Sequence, residues 1–220
     1  MVNTLLDLIL PLECAGCDMP GTGWCERCRD DVEAEPIRIE PRVDPGVPCW
    51  ALGSYTGPRR RAVIAAKERG RRDLALPLGA ALAGALCWLR RWGELSPLEL
   101  APLLLVPAPS RARAARMRGG DPVERSVRAA AWALEPERCT VAPVLGMQRG
   151  VRDSVGLSAR ERQANLAGRI TVSQEFPRIR GAEIVLIDDV LTTGVTARES
   201  VSALQRVGLT VDAVVVVAAA

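Results

Sequence analysis

The stretch IVLIDDVLTTGVT, running from Ile184 to Thr196, decides how this sequence reads. Ala182 to Ile187 is a mostly apolar run of strand length. Thr196 to Val207 repeats apolar residues at helical spacing, with Ala197, Val201 and Leu204 on one face and Gly208 as the stop. Val211 to Val217 is a further apolar strand. Strand, loop, helix and strand in that order form the building block of a parallel sheet covered on both faces. Ligands of such sheets gather at the carboxyl ends of the strands, which points to DDVLTTGVT as the place for chemistry.

Asp188 and Asp189 are paired carboxylates where nearby burial makes uncompensated charge costly and a polar ligand or cation welcome. Two adjacent ribose hydroxyls offer donors to such a pair, and a magnesium shared with a pyrophosphate fits close by. Thr192, Thr193, Gly194 and Thr196 add hydroxyls and unblocked backbone N–H groups where a helix begins. Gly194 permits close approach to an anion. The pattern is a cup for phosphate with carboxylates on its rim. A Walker loop is excluded, since GxxxxGK[ST] occurs nowhere. A receiver domain needs an aspartate and a lysine on later strands, and after Asp189 only Asp212 and no lysine follow. The plain alternative is a threonine-rich helix cap with solvent-facing acids.

Working outward, LLLVPAPS from Leu103 to Ser110 is an apolar run stopped by prolines, which suits a buried strand emptying into a loop. Ser126 to Leu134 is helical in period, and CTVAPVL from Cys139 is a candidate strand. Met147 to Arg169 is polar, charged and Gly-punctuated, and reads as a long mobile excursion. Nearer the start, a strand is expected around Trp50 to Tyr55 and helices near Arg59 to Arg69 and Leu74 to Trp92. The turn-rich PRVDPGVP, Pro41 to Pro48, marks a boundary between residues 1–48 and 49–220.

The chain has 220 residues, enough for one sizeable core and a small appendage, and 48% of them are hydrophobic. No stretch reaches the roughly 20 apolar residues of a membrane span, and GAALAGALCWL, Gly79 to Leu89, reads as a buried helix. The start lacks a basic flank and a cleavage site, so a cytoplasmic location without membrane insertion is expected. The net charge is +3, and Lys67 is the only lysine among 29 basic residues. Arginine's fork of donors suits phosphate, although a codon bias gives the same composition. With 0 histidines, Ser-His-Asp and Cys-His catalysis and every His-containing metal site are excluded within the chain.

Cys14, Cys17, Cys25 and Cys28 form two CxxC pairs, a spacing that closes a tetrahedron around Zn²⁺, with Gly16 easing the first knuckle. Disulfides compete, but a cytoplasmic chain keeps thiols reduced, and paired CxxC motifs favour a structural metal over redox chemistry. Such a closed site stabilises rather than catalyses. Cys49, Cys87 and Cys139 stand apart and are expected to be ordinary buried residues.

IVLIDDVLTTGVT resembles the signature of type I phosphoribosyltransferases, which bind phosphoribosyl pyrophosphate (PRPP). The resemblance implies an α/β fold with a parallel sheet flanked by helices. It implies Asp188 and Asp189 as the catalytic pair at the ribose hydroxyls, and a PRPP-binding run of Asp188, Asp189, Val190, Leu191, Thr192, Thr193, Gly194 and Thr196. It also implies a pyrophosphate loop at Ala108, Pro109, Ser110, Arg111 and Arg118, with Arg113 nearby, although Arg111 to Arg118 also reads as the solvated face of a helix.

Together with the four-cysteine finger, these blocks resemble the ComF family of bacterial competence and DNA uptake. LLDLILPLEC, AAKERGRRDLALPLG, VPAPSRARAARMRG and GLSARERQANLAG, with Arg162 and Asn165, carry the likeness. The family tends to follow its Arg-Gly with Phe-Asn-Gln, where this chain has Gly120, Asp121 and Pro122, and Ser154 stands in place of a usual glutamine. The resemblance implies PRPP as ligand, Mg²⁺ with it, structural Zn²⁺, and single-stranded DNA or a competence-machinery protein as partner. The arginines Arg59 to Arg61 and Arg69 to Arg72 are the candidates for tracking a strand, against the plainer reading of a basic surface helix.

Overall fold

A computed structural model describes residues 12–110, 120–148, 168–177 and 179–220. Its centre is a six-stranded sheet. The strands are β1 (Ile37–Ile39), β2 (Cys49–Ala51), β3 (Leu103–Pro107), β4 (Cys139–Val141), β7 (Glu183–Leu191) and β8 (Ala213–Ala219). The order is β1-β2-β8-β7-β3-β4, and every pairing is parallel except that of edge strand β1 with β2. The central strands β3, β7 and β8 are buried over most of their length, as expected of parallel strands covered on both faces.

Three helices cover one face: α2 (Gly57–Glu68), α3 (Ala75–Arg91) and α4 (Pro122–Ala133). Helix α3 follows a short 3-10 turn at Arg72–Leu74. By length and composition the span Arg72–Arg91 is apolar enough to cross a membrane. Here Leu78, Leu82, Leu86 and Leu89 are spent in the core. Gly79 lets α3 approach α4 closely, since a Cβ there would sit 2.5 Å from that of Ala129. Helix α5 (Val195–Arg206) lies on the opposite face with a small antiparallel pair, β5 (Leu145–Met147) and β6 (Ile170–Val172). The sequence from β7 through α5 to β8 is the strand-helix-strand unit legible in the chain. The first helix among the described residues, α1 (Glu26–Val32), belongs to the cysteine segment.

Several elements differ from the sequence expectation. Strand β7 runs on through Asp188, Asp189, Val190 and Leu191 instead of ending at Ile187, because Asp188, Val190 and Leu191 pair with Val216, Ala218 and Ala219 of β8. CTVAPVL divides into β4 and β5, which lie in different sheets. The ends of the Met147–Arg169 excursion meet as the β5–β6 pair, extended by Gln148 N–H donating to the Arg169 carbonyl at 2.9 Å. Ser154, Arg162 and Asn165 lie outside the described residues. Strand β1 precedes the expected boundary at Pro48, yet it pairs into the main sheet.

Candidate functional site: an acid pair, a phosphate loop and a cysteine cluster

Asp188 and Asp189 sit near the carboxyl end of β7, with their backbones still in the ladder. Asp189 N–H donates to Asp188 Oδ1 and Val190 N–H to Asp189 Oδ1, each at 2.8 Å. These bonds fold each carboxylate over the N–H of the residue that follows it. Burial pushes the Asp188 carboxyl up to about 8, the Asp189 carboxylate adds to that, and the Lys67 ammonium opposes it. Lys67 reaches from α2 to place Nζ 2.8 Å from Asp189 Oδ2 and 3.1 Å from Oδ1. Beside the acids lies a small, mostly apolar recess, floored by Ile187 and Val217 and walled by Val63, Leu78, Leu82 and Val123.

Beyond Leu191 the chain turns through Thr192 and Thr193 to Gly194, which caps α5 at φ +87°. By position, the N–H groups of Val195, Thr196 and Ala197 have no acceptor within the helix, and the helix dipole adds positive potential there. The first turn of α5 carries no acidic side chain, so none repels an anion there. The linker Pro41 to Asp44 braces this loop. Val43 N–H donates to the Thr193 carbonyl at 2.8 Å, and Arg198 donates to the Asp44 carbonyl at 3.0 Å. A Cβ on Gly194 would lie 2.2 Å from the Val43 carbonyl oxygen and 2.9 Å from Pro41 Cβ, so glycine is required by both conformation and space. Sequence reasoning missed this brace because PRVDPGVP carries turn signals alone.

Ala108 continues the β3–β7 pairing, with its N–H on the Ile187 carbonyl at 2.7 Å. Ala108 and Pro109 are buried and Ser110 is half-buried, one strand away from the acids. Arg111, Arg113 and Arg118 lie outside the described residues.

The four cysteines Cys14, Cys17, Cys25 and Cys28 converge, with all Sγ atoms within 4.8 Å of one another. Four sulfurs at about 2.3 Å from a tetrahedral zinc would stand about 3.8 Å apart, so this donor set fits a metal such as zinc. Cys17 and Cys25 already have Sγ atoms 3.6 Å apart. The first knuckle closes through Asp18 N–H on the Cys14 carbonyl at 2.8 Å, and Asp18 takes a left-handed φ of 62°. Gly16 is needed there, because a Cβ would approach Cys28 Sγ to 2.6 Å. Burial raises the Cys14 thiol, but backbone N–H groups of Cys25, Gly16 and Cys17 outweigh it and bring the group down to about 6.

Of the other cysteines, Cys49 is buried and Cys139 half-buried, but Cys87 is exposed, which corrects the expectation of a buried residue. It lies on the outer side of α3, where the apolar run Gly79 to Leu89 carries no sign of exposure. The basic stretches are also used within the chain. Arg59 pairs with Asp31 and donates to the Leu52 carbonyl at 3.0 Å, and Arg61 pairs with Asp18. Arg71 ties together Asp73 and the carbonyls of Glu13 and Gly23.

No protein-family model matches the chain, and no curated protein matches it significantly. Among solved structures, it is similar to a hypoxanthine phosphoribosyltransferase from Staphylococcus aureus in two crystal forms. The identities are 14% and 13%, the TM-scores 0.34 and 0.33, with 68% of this chain and 62% or 61% of the other chain covered. The match therefore spans less than two thirds of that enzyme's length. A likeness so slight carries no argument about this chain, so the functional reading rests on the site.

Proposed function

We propose that this chain is a PRPP-binding, phosphoribosyltransferase-like protein of the ComF type, with a zinc finger within residues 1–48 and a PRPP-binding module over 49–220 that β1 and the Pro41 to Asp44 linker extend. The observation that carries the reading is the conjunction at the end of β7: two carboxylates in the strand, then a threonine loop and Gly194 opening a helix of 12 residues. A 5-phosphate fits the N–H groups and hydroxyls of Thr192 to Thr196, while Asp188 and Asp189 accept from the ribose hydroxyls. Val190 and Leu191 contribute through the backbone that sets this spacing.

The reaction proposed is a pentosyl transfer. The C1–O bond to pyrophosphate breaks, the electron pair leaves with pyrophosphate, and a nitrogen of an acceptor base forms the new bond to C1. Mg²⁺ arriving with PRPP would screen the leaving group's charge. The chain's own residues hold the ribose and phosphate while positive charge develops at C1, a task for which histidine is not needed. Ala108, Pro109, Ser110, Arg111 and Arg118 are proposed to meet the pyrophosphate. Zinc at the four cysteines is structural.

Calorimetry with PRPP and Mg²⁺ tests the binding claim: the wild type should bind, and Asp188→Asn/Asp189→Asn should not. Equal affinity in both proteins removes the claim. Pyrophosphate release from PRPP across a panel of bases tests transfer. If PRPP binds and no base releases pyrophosphate, the second reading is favoured, a non-catalytic PRPP-responsive accessory protein of DNA uptake. Its DNA arm is tested by a salt-dependent shift with single-stranded DNA.

A further inference from the structure

Beside the acid pair stands a cation with no part in the proposed phosphate and ribose contacts. Lys67, the single lysine of the chain, sets its ammonium across both oxygens of Asp189, at 2.8 and 3.1 Å. An ammonium placed so occupies acceptor positions that a ribose diol would use. The two partners are unequally held. The Asp189 side chain is 14% exposed and that of Lys67 43%, so the carboxylate is walled in while the lysine side chain is partly in solvent on a flexible stem.

Lys67 also lies on a defined side of the acids. The phosphate loop at Thr192 to Thr196 is braced by Pro41 to Asp44. Lys67 instead shares its recess with Pro122, Val123 and Ser126 at the start of α4, the helix that follows the β3 loop. A ribose 5-phosphate carries its phosphate at one end, the diol in the middle and the anomeric carbon at the other. With the phosphate on the Gly194 loop and the diol on the acids, the anomeric carbon points to the lysine side.

We propose that Lys67 determines specificity at this site: it caps Asp189 in the free protein, yields to the ribose diol, and then faces the pyrophosphate on the anomeric carbon. The proposal rests on the PRPP reading of the acids and loop. Ribose 5-phosphate must displace the ammonium and offers it no new anion at C1. PRPP displaces it and supplies one. Removing the lysine charge therefore moves the two ligands in opposite directions, whereas damage to the fold weakens both.

The test is calorimetric binding of ribose 5-phosphate and of PRPP, each with Mg²⁺, to the full chain and to Lys67→Gln, Lys67→Met and Lys67→Arg. The neutral variants should bind ribose 5-phosphate more tightly and PRPP more weakly, shrinking the preference for PRPP by about tenfold or more, and arginine should restore it. Either neutral variant suffices if the other does not fold. A preference unchanged within about twofold, or both ligands weakened together, overturns the proposal. Wild-type protein that binds neither ligand breaks the PRPP reading itself; wild-type protein that binds both, with the preference kept in the variants, breaks only the role of Lys67.

Discussion

The cysteine cluster takes all its ligands from Cys14 to Cys28, whereas the acid site gathers its parts from Pro41 to Asp44, Lys67 and Ile187 to Arg198. In the cluster, neighbouring turns place the donors, so spacing in the chain is nearly spacing in space. At the acid site, strand pairing and helix packing bring together residues as far apart as Lys67 and Asp189. A locally built site should fail when its own residues change. A site assembled by the fold should also fail when its supports change.

The largest expected effect lies in the cluster. Cys14→Ser/Cys28→Ser should reduce bound zinc from one per chain to none and lower the melting temperature by about 10 °C or more, as loss of a structural metal does. Metal analysis and thermal unfolding check both. A wild-type chain that purifies without zinc and gains no stability when zinc is added sinks the metal reading.

Next comes a support of the assembled site. Gly194→Ala must place a methyl group against the Val43 carbonyl at a left-handed φ. It should cost about 2–3 kcal/mol in denaturant unfolding and abolish PRPP binding. Full affinity in this variant would show that the linker brace is dispensable.

Asp188→Asn should separate stability from binding. The native carboxyl holds its proton up to about pH 8, against an ordinary value of 3.8. Between those values the native state binds more protons than the unfolded chain, so wild-type stability falls as pH rises through this window. The asparagine variant should lack that slope, be the more stable protein at pH 8, and lose its advantage below about pH 4. Parallel pH–stability curves for the two proteins contradict the assignment.

The smallest effects concern the arginines. Arg71→Leu removes the bonds to Glu13, Gly23 and Asp73 and should cost about 1–2 kcal/mol, while PRPP affinity changes little. Arg60, over the Tyr55 ring at 5.9 Å, should cost about 0.5 kcal/mol when changed to Leu. Arg60 is therefore the cleaner probe of DNA binding, because a loss at Arg71 would mix charge with a loosened cysteine segment.

The legible parts of the molecule were those with a short-range code. The apolar run before Asp188, the helical period after Gly194 and the CxxC pairs each state their own geometry within a few residues. The acids' place inside β7 was not legible, because polar residues ordinarily end an apolar strand; here pairing with Val216 and Ala218 carries the ladder past them. The brace at Val43 was hidden for a different reason. Its contact is made by backbone atoms, which any residue supplies.

By itself, the sequence determined the parallel α/β unit, the knuckles that draw the four cysteines together and the acid-threonine-glycine pattern, since periodicity and local backbone freedom act over short stretches of chain. Only the tertiary structure decided that Lys67 meets Asp189, that the Pro41–Asp44 linker closes on Gly194 and that Arg59, Arg61 and Arg71 bond to the cysteine segment. Those contacts depend on where whole helices and strands come to rest, and that is set by burial of the shared core rather than by any neighbour in the chain.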